Sequence, residues 1–100
     1  MADAGNSETS LVIHNQAEQR FELRLGDELC RLDYRRSPGK MVIYHTEVPK
    51  PFQHRGLAAR MTQAALEFAR AEKLQVEPRC PYTAAYLQKH RQYDNLLVSR

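Results

Sequence analysis

The sequence predicts an α/β (α+β) domain, a largely antiparallel sheet with the element order ββββαβα. Apolar and polar residues alternate with a period of two through much of the first half. From Leu57 the apolar spacing lengthens to that of a helix. Glycine and proline turn signals separate the segments.

The first strand is the short apolar run "LVIHN" (11–15). "RFELRL" (20–25) follows, with Phe21, Leu23 and Leu25 on one face and Gly26-Asp27 as the turn after it. "LCRLDYRR" (29–36) sets Cys30, Leu32 and Tyr34 against Arg31, Asp33 and Arg35. Pro38-Gly39 favours a type II turn because glycine accepts positive φ. "MVIYHTEV" (41–48) therefore returns antiparallel, apolar on both faces at its start as a central strand requires. Leu57 to about Glu72 is the surest helix, with Leu57, Met61, Ala64, Ala65 and Phe68 inward and Arg60, Gln63, Glu67 and Arg70 outward. "LQVEPRC" (74–80) has strand character, with Leu74, Val76 and Cys80 on one face, but Pro78 cannot donate a ladder hydrogen bond. Pro81 opens a second helix, "PYTAAYLQKH", since proline is tolerated at a helix's first position. The tail "RQYDNLLVSR" has no period that decides its structure.

Composition bounds the function. One hundred residues, 42% hydrophobic and 27% charged, make one globular domain over 11–100, with the small polar stretch 1–10 expected to be disordered. That stretch lacks the basic start and apolar core of a signal peptide, and no apolar run spans a bilayer. No membrane role is expected. The net charge of +3, with no basic helix or aromatic platform, gives no ground for nucleic-acid binding. Cys30 and Cys80 form no CxxC pair, which suits a reduced, cytoplasmic location. The histidines show no metal-ligand spacing with each other or with the cysteines, so no metal is expected. A monomer or weak homodimer is the expected state.

One stretch asks for an explanation. In "PFQHRGLAAR" (51–60) a glycine stands at the first turn of the main helix. A loop entering a helix presents unpaired N–H groups at the positive end of its dipole, which together make an anion site. Gly56 admits phosphate oxygens to the backbone, Arg55 and Arg60 add charge, and Gln53 and His54 add hydrogen bonds. On local physics alone, a plain tight turn is the favoured explanation of the glycine.

Gln53-His54-Arg55-Gly56-Leu57-Ala58 matches the (Q/R)-x-x-G-x-(G/A) loop of the GNAT superfamily, the acyl-CoA-dependent N-acyltransferases. The chain resembles that superfamily over residues 11–93, and most closely its very small stand-alone members. Those share "HTEVP" before the loop, here His45 to Pro49, and C-x-Y-x-x-x-Y after the next strand, here Cys80, Tyr82 and Tyr86. The resemblance implies a minimal GNAT-like fold whose fourth and fifth strands splay apart. It implies that Gln53, His54, Arg55, Gly56, Leu57 and Ala58 hold the pyrophosphate of acetyl-CoA or CoA. It also implies that Glu47 and Val48 bond the pantetheine arm through their backbones.

Acyl transfer to an amine needs a base, an oxyanion stabiliser and an acid for the leaving thiolate. By resemblance Tyr86 is the candidate acid. Cys80 precedes a helix N-terminus, which favours a thiolate able to accept an acetyl group and pass it on. His45, expected to face Cys80 across the splayed strands, is its candidate base. Cys30 reads as buried and inert. The expected function is acetyl-CoA-dependent N-acetyl transfer to an unidentified amine. The alternative is a non-enzymatic acyl-CoA binder, because only "NQAEQR" stands where ordinary members carry acceptor-binding helices.

Overall fold

The computed structural model describes residues 12–97. Five strands form one sheet in sequential order: β1 (Ile13–Asn15), β2 (Arg20–Leu25), β3 (Glu28–Ser37), β4 (Lys40–Glu47) and β5 (Gln75–Pro78). The first four pair antiparallel, and β5 lies parallel to β4. That parallel pair is joined by the helix α1 (Leu57–Ala71), and α2 (Pro81–Lys89) follows β5. The mixed α/β architecture is the one expected. The expected disordered segment 1–10, and Leu11 of the expected first strand, lie outside the described residues.

The β2–β3 and β3–β4 hairpins fall where the turn residues place them. Ser37 pairs with Lys40 around Pro38-Gly39, and Gly39 takes a φ of +74°, a region costly for any residue with a Cβ. The buried alternation of β2 and β3 supplies Phe21, Leu23, Cys30, Leu32 and Tyr34 to one face, where α1 packs. Met41, Ile43 and Val76 complete that face from β4 and β5.

The helix buries more of itself than the expected stripe. Thr62, Leu66 and Ala69 are fully covered, whereas Ala64 and Phe68 are only half-buried. The C-terminal segment, which the sequence left undecided, adds to the packing around the helix. It forms a 3-10 turn over Arg91–Leu96 that packs on the flank of α1 and buries Tyr93 and Leu96. There the Tyr93 hydroxyl donates to Glu67 Oε2 at 2.7 Å, and burial together with that carboxylate pushes its pKa up to about 12. The Arg70 guanidinium lies over the same ring, 4.9 Å from its centroid.

Two irregularities in β4 shape everything beyond the core. The register with β3 shifts between Asp33 and Tyr34, which pair with His45 and Ile43 respectively, so Tyr44 is an extra residue. This β-bulge reverses the inside–outside order of the rest of the strand. Thr46 now stands opposite buried Leu32, on the core face, and His45 stands opposite Asp33 on the outer face. The second irregularity is the end of the β4–β5 ladder at Ile43 and Pro78. Beyond it the N–H groups of both Arg79 and Cys80 donate to the Ile43 carbonyl, at 2.9 and 3.0 Å. The fifth strand is therefore shorter than 74–80, and Cys80 serves as the N-cap of α2.

The sheet face turned away from the helices carries rows of opposite charges. Arg20 pairs with Glu22, Arg31 with Asp33 and Glu47, and Glu77 with both Lys40 and Arg79. At the other end, an aromatic cluster ties β1 to the core. The His14 ring stacks on Phe21 at 4.0 Å, meets Phe68 edge-on at 4.4 Å, and shares a 2.6 Å hydrogen bond with the Tyr34 hydroxyl. Burial and then the Arg36 charge lower the His14 pKa, outweighing the opposite pull of Glu72.

A histidine whose folded pKa is depressed gives stability that is complete above its unfolded value and is lost as pH falls through the folded one. We expect urea midpoints to drop as pH falls from the unfolded histidine value of roughly 6.5 through the lower folded value. The drop should vanish in His14→Phe. An unchanged pH slope in that variant would remove His14 as its cause.

Candidate functional site

The segment between β4 and α1 is built to turn sharply. Pro49 leads into a 3-10 turn over Lys50–Phe52, closed by the Phe52 N–H on the Pro49 carbonyl at 2.8 Å. His54 and Gly56 both have left-handed backbone, with φ of +68° and +82°. Gly56 is the N-cap of α1 and so offers no side chain to cap it. The first helical hydrogen bond runs from Arg60 N–H to Gly56 O at 3.1 Å, leaving the N–H groups of Leu57, Ala58 and Ala59 without intrahelical partners. No acidic residue occupies the first turn. The result is an open, positively polarised helix end.

A Cβ built on Gly56 meets no atom within 4 Å. Glycine is therefore required by the backbone angle, and the space its side chain would enter is the adjoining cleft. That cleft has a volume of about 290 Å³. Thr46 and Val48 form its β4 side, and Phe52, Gln53 and His54 come from the linker. Gly56, Leu57 and Ala58 line the helix end, with Tyr82 of α2 opposite. Six of the eight residues expected to hold CoA thus meet in one cleft.

Glu47 and Arg55 do not line it. The Glu47 side chain serves the outer face, accepting from His45 and lying 3.5 Å from Arg31, which leaves its backbone for any contact within. The Arg55 guanidinium lies 5.4 Å from the centroid of the Phe52 ring. Gln53 has a structural task that its sequence position did not reveal. Its amide donates to the Val48 carbonyl at 2.9 Å, fastening the loop to the end of β4.

Cys80 stands behind the β4 wall, 5% exposed, and its thiol donates to Thr46 Oγ1 at 3.5 Å. Burial pushes the thiol pKa up, but the donors that a thiolate would find around it outweigh burial: the Thr46 hydroxyl, the N–H groups of Thr83 and Tyr82, and the Thr83 hydroxyl bring it below the ordinary value. Cys30 is the opposite case, raised by burial and by Glu28. The expected partnership of His45 with Cys80 is not formed. The bulge at Tyr44 turns His45 to the outer face, where its Nε2 meets Glu47 at 3.1 Å, and puts Thr46 beside the sulfur instead.

The tyrosines also differ from expectation. Tyr82, two residues after Cys80, lines the cleft; Tyr86 lies one turn farther along α2. Tyr86 stacks on His90 at 3.8 Å and faces a second hollow of about 350 Å³, shared with Tyr82, Arg60, Gln63 and Lys89. Burial holds both phenols above their ordinary pKa, with Tyr82 and Glu67 adding to the effect on Tyr86. Among the described residues, no cluster of three or more His, Cys, Asp or Glu side chains is placed to hold a metal ion. No helix among them is long and apolar enough to cross a membrane.

This arrangement can be set beside known proteins. Residues 20–96 match the family described as GCN5-related N-acetyl-transferase. The chain belongs to that family. Protein NATD1 of Xenopus tropicalis is 32% identical over 82 residues, covering 79% of this chain and 75% of that protein. The human and mouse NATD1 proteins are each 30% identical over the same length, covering 73% and 74% of those proteins. The sheet order and the parallel β4–β5 pair are consistent with membership in the GCN5-related family.

Thr46, Phe52 and Thr83 are candidate-site residues that sequence reasoning missed. Tyr82 was already marked by the C-x-Y spacing. Thr46 was hidden, because unbroken alternation puts it on the wrong face. For Gly56 the expectation is quantitative. Gly56→Ala should cost about 1–2 kcal/mol, the strain of a left-handed residue with a Cβ, since no steric clash adds to it. Urea unfolding measures this, and a neutral substitution would show that the left-handed angle is not enforced.

Proposed function

We propose that this chain binds acetyl-CoA in the cleft at the start of α1 and transfers its acetyl group to an amine. The observation that carries the reading is one continuous groove. It begins at an uncapped, positively polarised helix end and leads to Thr46 and Tyr82, beside a cysteine with a lowered pKa. The open N–H groups of α1, with the left-handed turn at Gly56, suit the pyrophosphate. The apolar walls of Val48, Phe52 and Leu57 suit the pantetheine arm, which enters where β4 and β5 stop pairing.

Cys80 is our choice for a covalent acceptor. Its thiolate would form a bond to the acetyl carbon, and the electron pair displaced onto the carbonyl oxygen would return as the bond to the CoA sulfur breaks. One thioester replaces another, and CoA leaves as the thiolate. An amine would then form the C–N bond, Cys80 would leave as thiolate, and the amine proton would pass through water to CoA. His45 has no part in this route, since it faces away. Tyr82, kept protonated by its raised pKa, is the hydroxyl on the cleft wall suited to hydrogen-bond the departing CoA thiolate.

A second reading has its own support. Only Gln16–Gln19 separates β1 from β2, so this end of the sheet offers no helices to form an acceptor site. A non-enzymatic acyl-CoA binder fits that observation.

Acetyl-CoA at about a hundredfold excess over its Kd should stabilise the fold by about 2.7 kcal/mol, seen as a higher melting temperature. Gly56→Val should remain folded and lose that response. An unmoved melting temperature at millimolar acetyl-CoA would end both readings. Incubation with acetyl-CoA should add the mass of one acetyl group, and Cys80→Ala should not gain it. A gain that persists in Cys80→Ala would exclude the covalent route, and no thiol release with any amine would favour the binder.

A further inference from the structure

Buried hydroxyls are nearly always hydrogen-bonded, because an unpaired one keeps its full desolvation penalty. Thr83 is an exception. It is fully buried, and among the described residues its Oγ1 is the buried side-chain polar atom left without a partner. Its position gives the exception meaning. With Cys80 as N-cap and Pro81 at N1, Tyr82 and Thr83 are N2 and N3 of α2. An N-cap side chain ordinarily accepts from the N–H groups of these two residues. Here the acceptor is sulfur. A neutral thiol accepts weakly, and it makes no capping hydrogen bond. An anionic sulfur at the same place would be a strong acceptor.

We propose that Thr83 is a positioning residue for Cys80: its hydroxyl, with the Thr46 hydroxyl and the N–H groups of Tyr82 and Thr83, forms a cradle for the sulfur in its anionic form. The orphan hydroxyl then gains its partner on ionisation. The 3.5 Å contact with Thr46 reverses at the same moment, the hydroxyl turning from acceptor to donor. The donors come from two elements that the end of the β4–β5 ladder brings together, Thr46 on β4 and Tyr82 and Thr83 on α2.

No side-chain charge is needed. Arg79, the preceding residue, is held by Glu77, and His45 on β4 is held by Glu47. Tyr82 and Tyr86 on α2 are neutral at physiological pH. The lowered Cys80 pKa accords with a cradle of neutral dipoles at a helix N-terminus. Its use in acyl transfer rests on the proposed function, but its existence does not.

The test needs no acetyl-CoA. Alkylation of the intact protein by iodoacetamide is followed against pH, with Cys80 and Cys30 resolved by peptide mass. Thr83→Val, which keeps the shape and removes the hydroxyl, should move the Cys80 profile up by about one pH unit, the value of one hydrogen bond to a charged group. Its alkylation at neutral pH should slow roughly tenfold. Thr83→Ser should restore the wild-type profile, and Thr46→Val should shift it in the same direction as Thr83→Val. Melting temperatures show that each variant is folded. A Thr83→Val protein that is folded, or more stable, with an unchanged Cys80 profile would overturn the proposal and leave Thr83 as a packing residue. If Thr83→Val does not fold, Thr83→Ala, which also removes the hydroxyl, is read in the same way, and an unchanged Cys80 profile in it overturns the proposal.

Discussion

A parallel strand pair lasts as long as both chains supply backbone donors, and β5 reaches a residue without one at Pro78. Its last ladder partner is Ile43, whose carbonyl then takes both Arg79 and Cys80. This shared acceptor is the pivot of the molecule. On one side of it β4 and β5 belong to a continuous sheet over a packed core. On the other, β4 continues with β3 alone, and the chain after β5 turns at once into α2. The cleft is the space that this parting leaves. Its walls, its cysteine and the start of both helices are all set by where the ladder ends.

Much of this was legible. The change of period, the Pro-Gly hairpin and the glycine at the start of α1 each have a direct physical meaning, and the structure has them in place. Pro78 likewise announced an interruption. The Tyr44 bulge was not legible, because "MVIYHTEV" alternates as well in its unbroken register as in the bulged one. Only pairing with β3 shows that buried Leu32 needs Thr46 opposite it. The error about His45 followed from that. The packing of Tyr93 on α1 was hidden for a different reason: it comes from a tail that has no periodicity of its own.

The outer face of the sheet shows how so small a chain can leave a whole layer uncovered. Its arginines, lysine and carboxylates are arranged in cross-strand and next-neighbour pairs. Exposed pairs of this kind add little stability one by one. Their main effect is to keep a broad flat surface hydrated, so that no apolar patch calls for a covering helix. The core can then be one-sided, with α1 as its centre and Tyr93 sealing the flank.

The bulge makes β4 behave like a message read in a frame of two. One extra residue at Tyr44 shifts the frame, and every later side chain changes sides. Deleting Tyr44 would restore regular pairing and keep His45 and Glu47 outside with Thr46 and Val48 toward the cleft, whereas the full-length strand paired without the bulge would exchange those surfaces. The bulge is what lets a strand of this length present Thr46, not His45, beside Cys80.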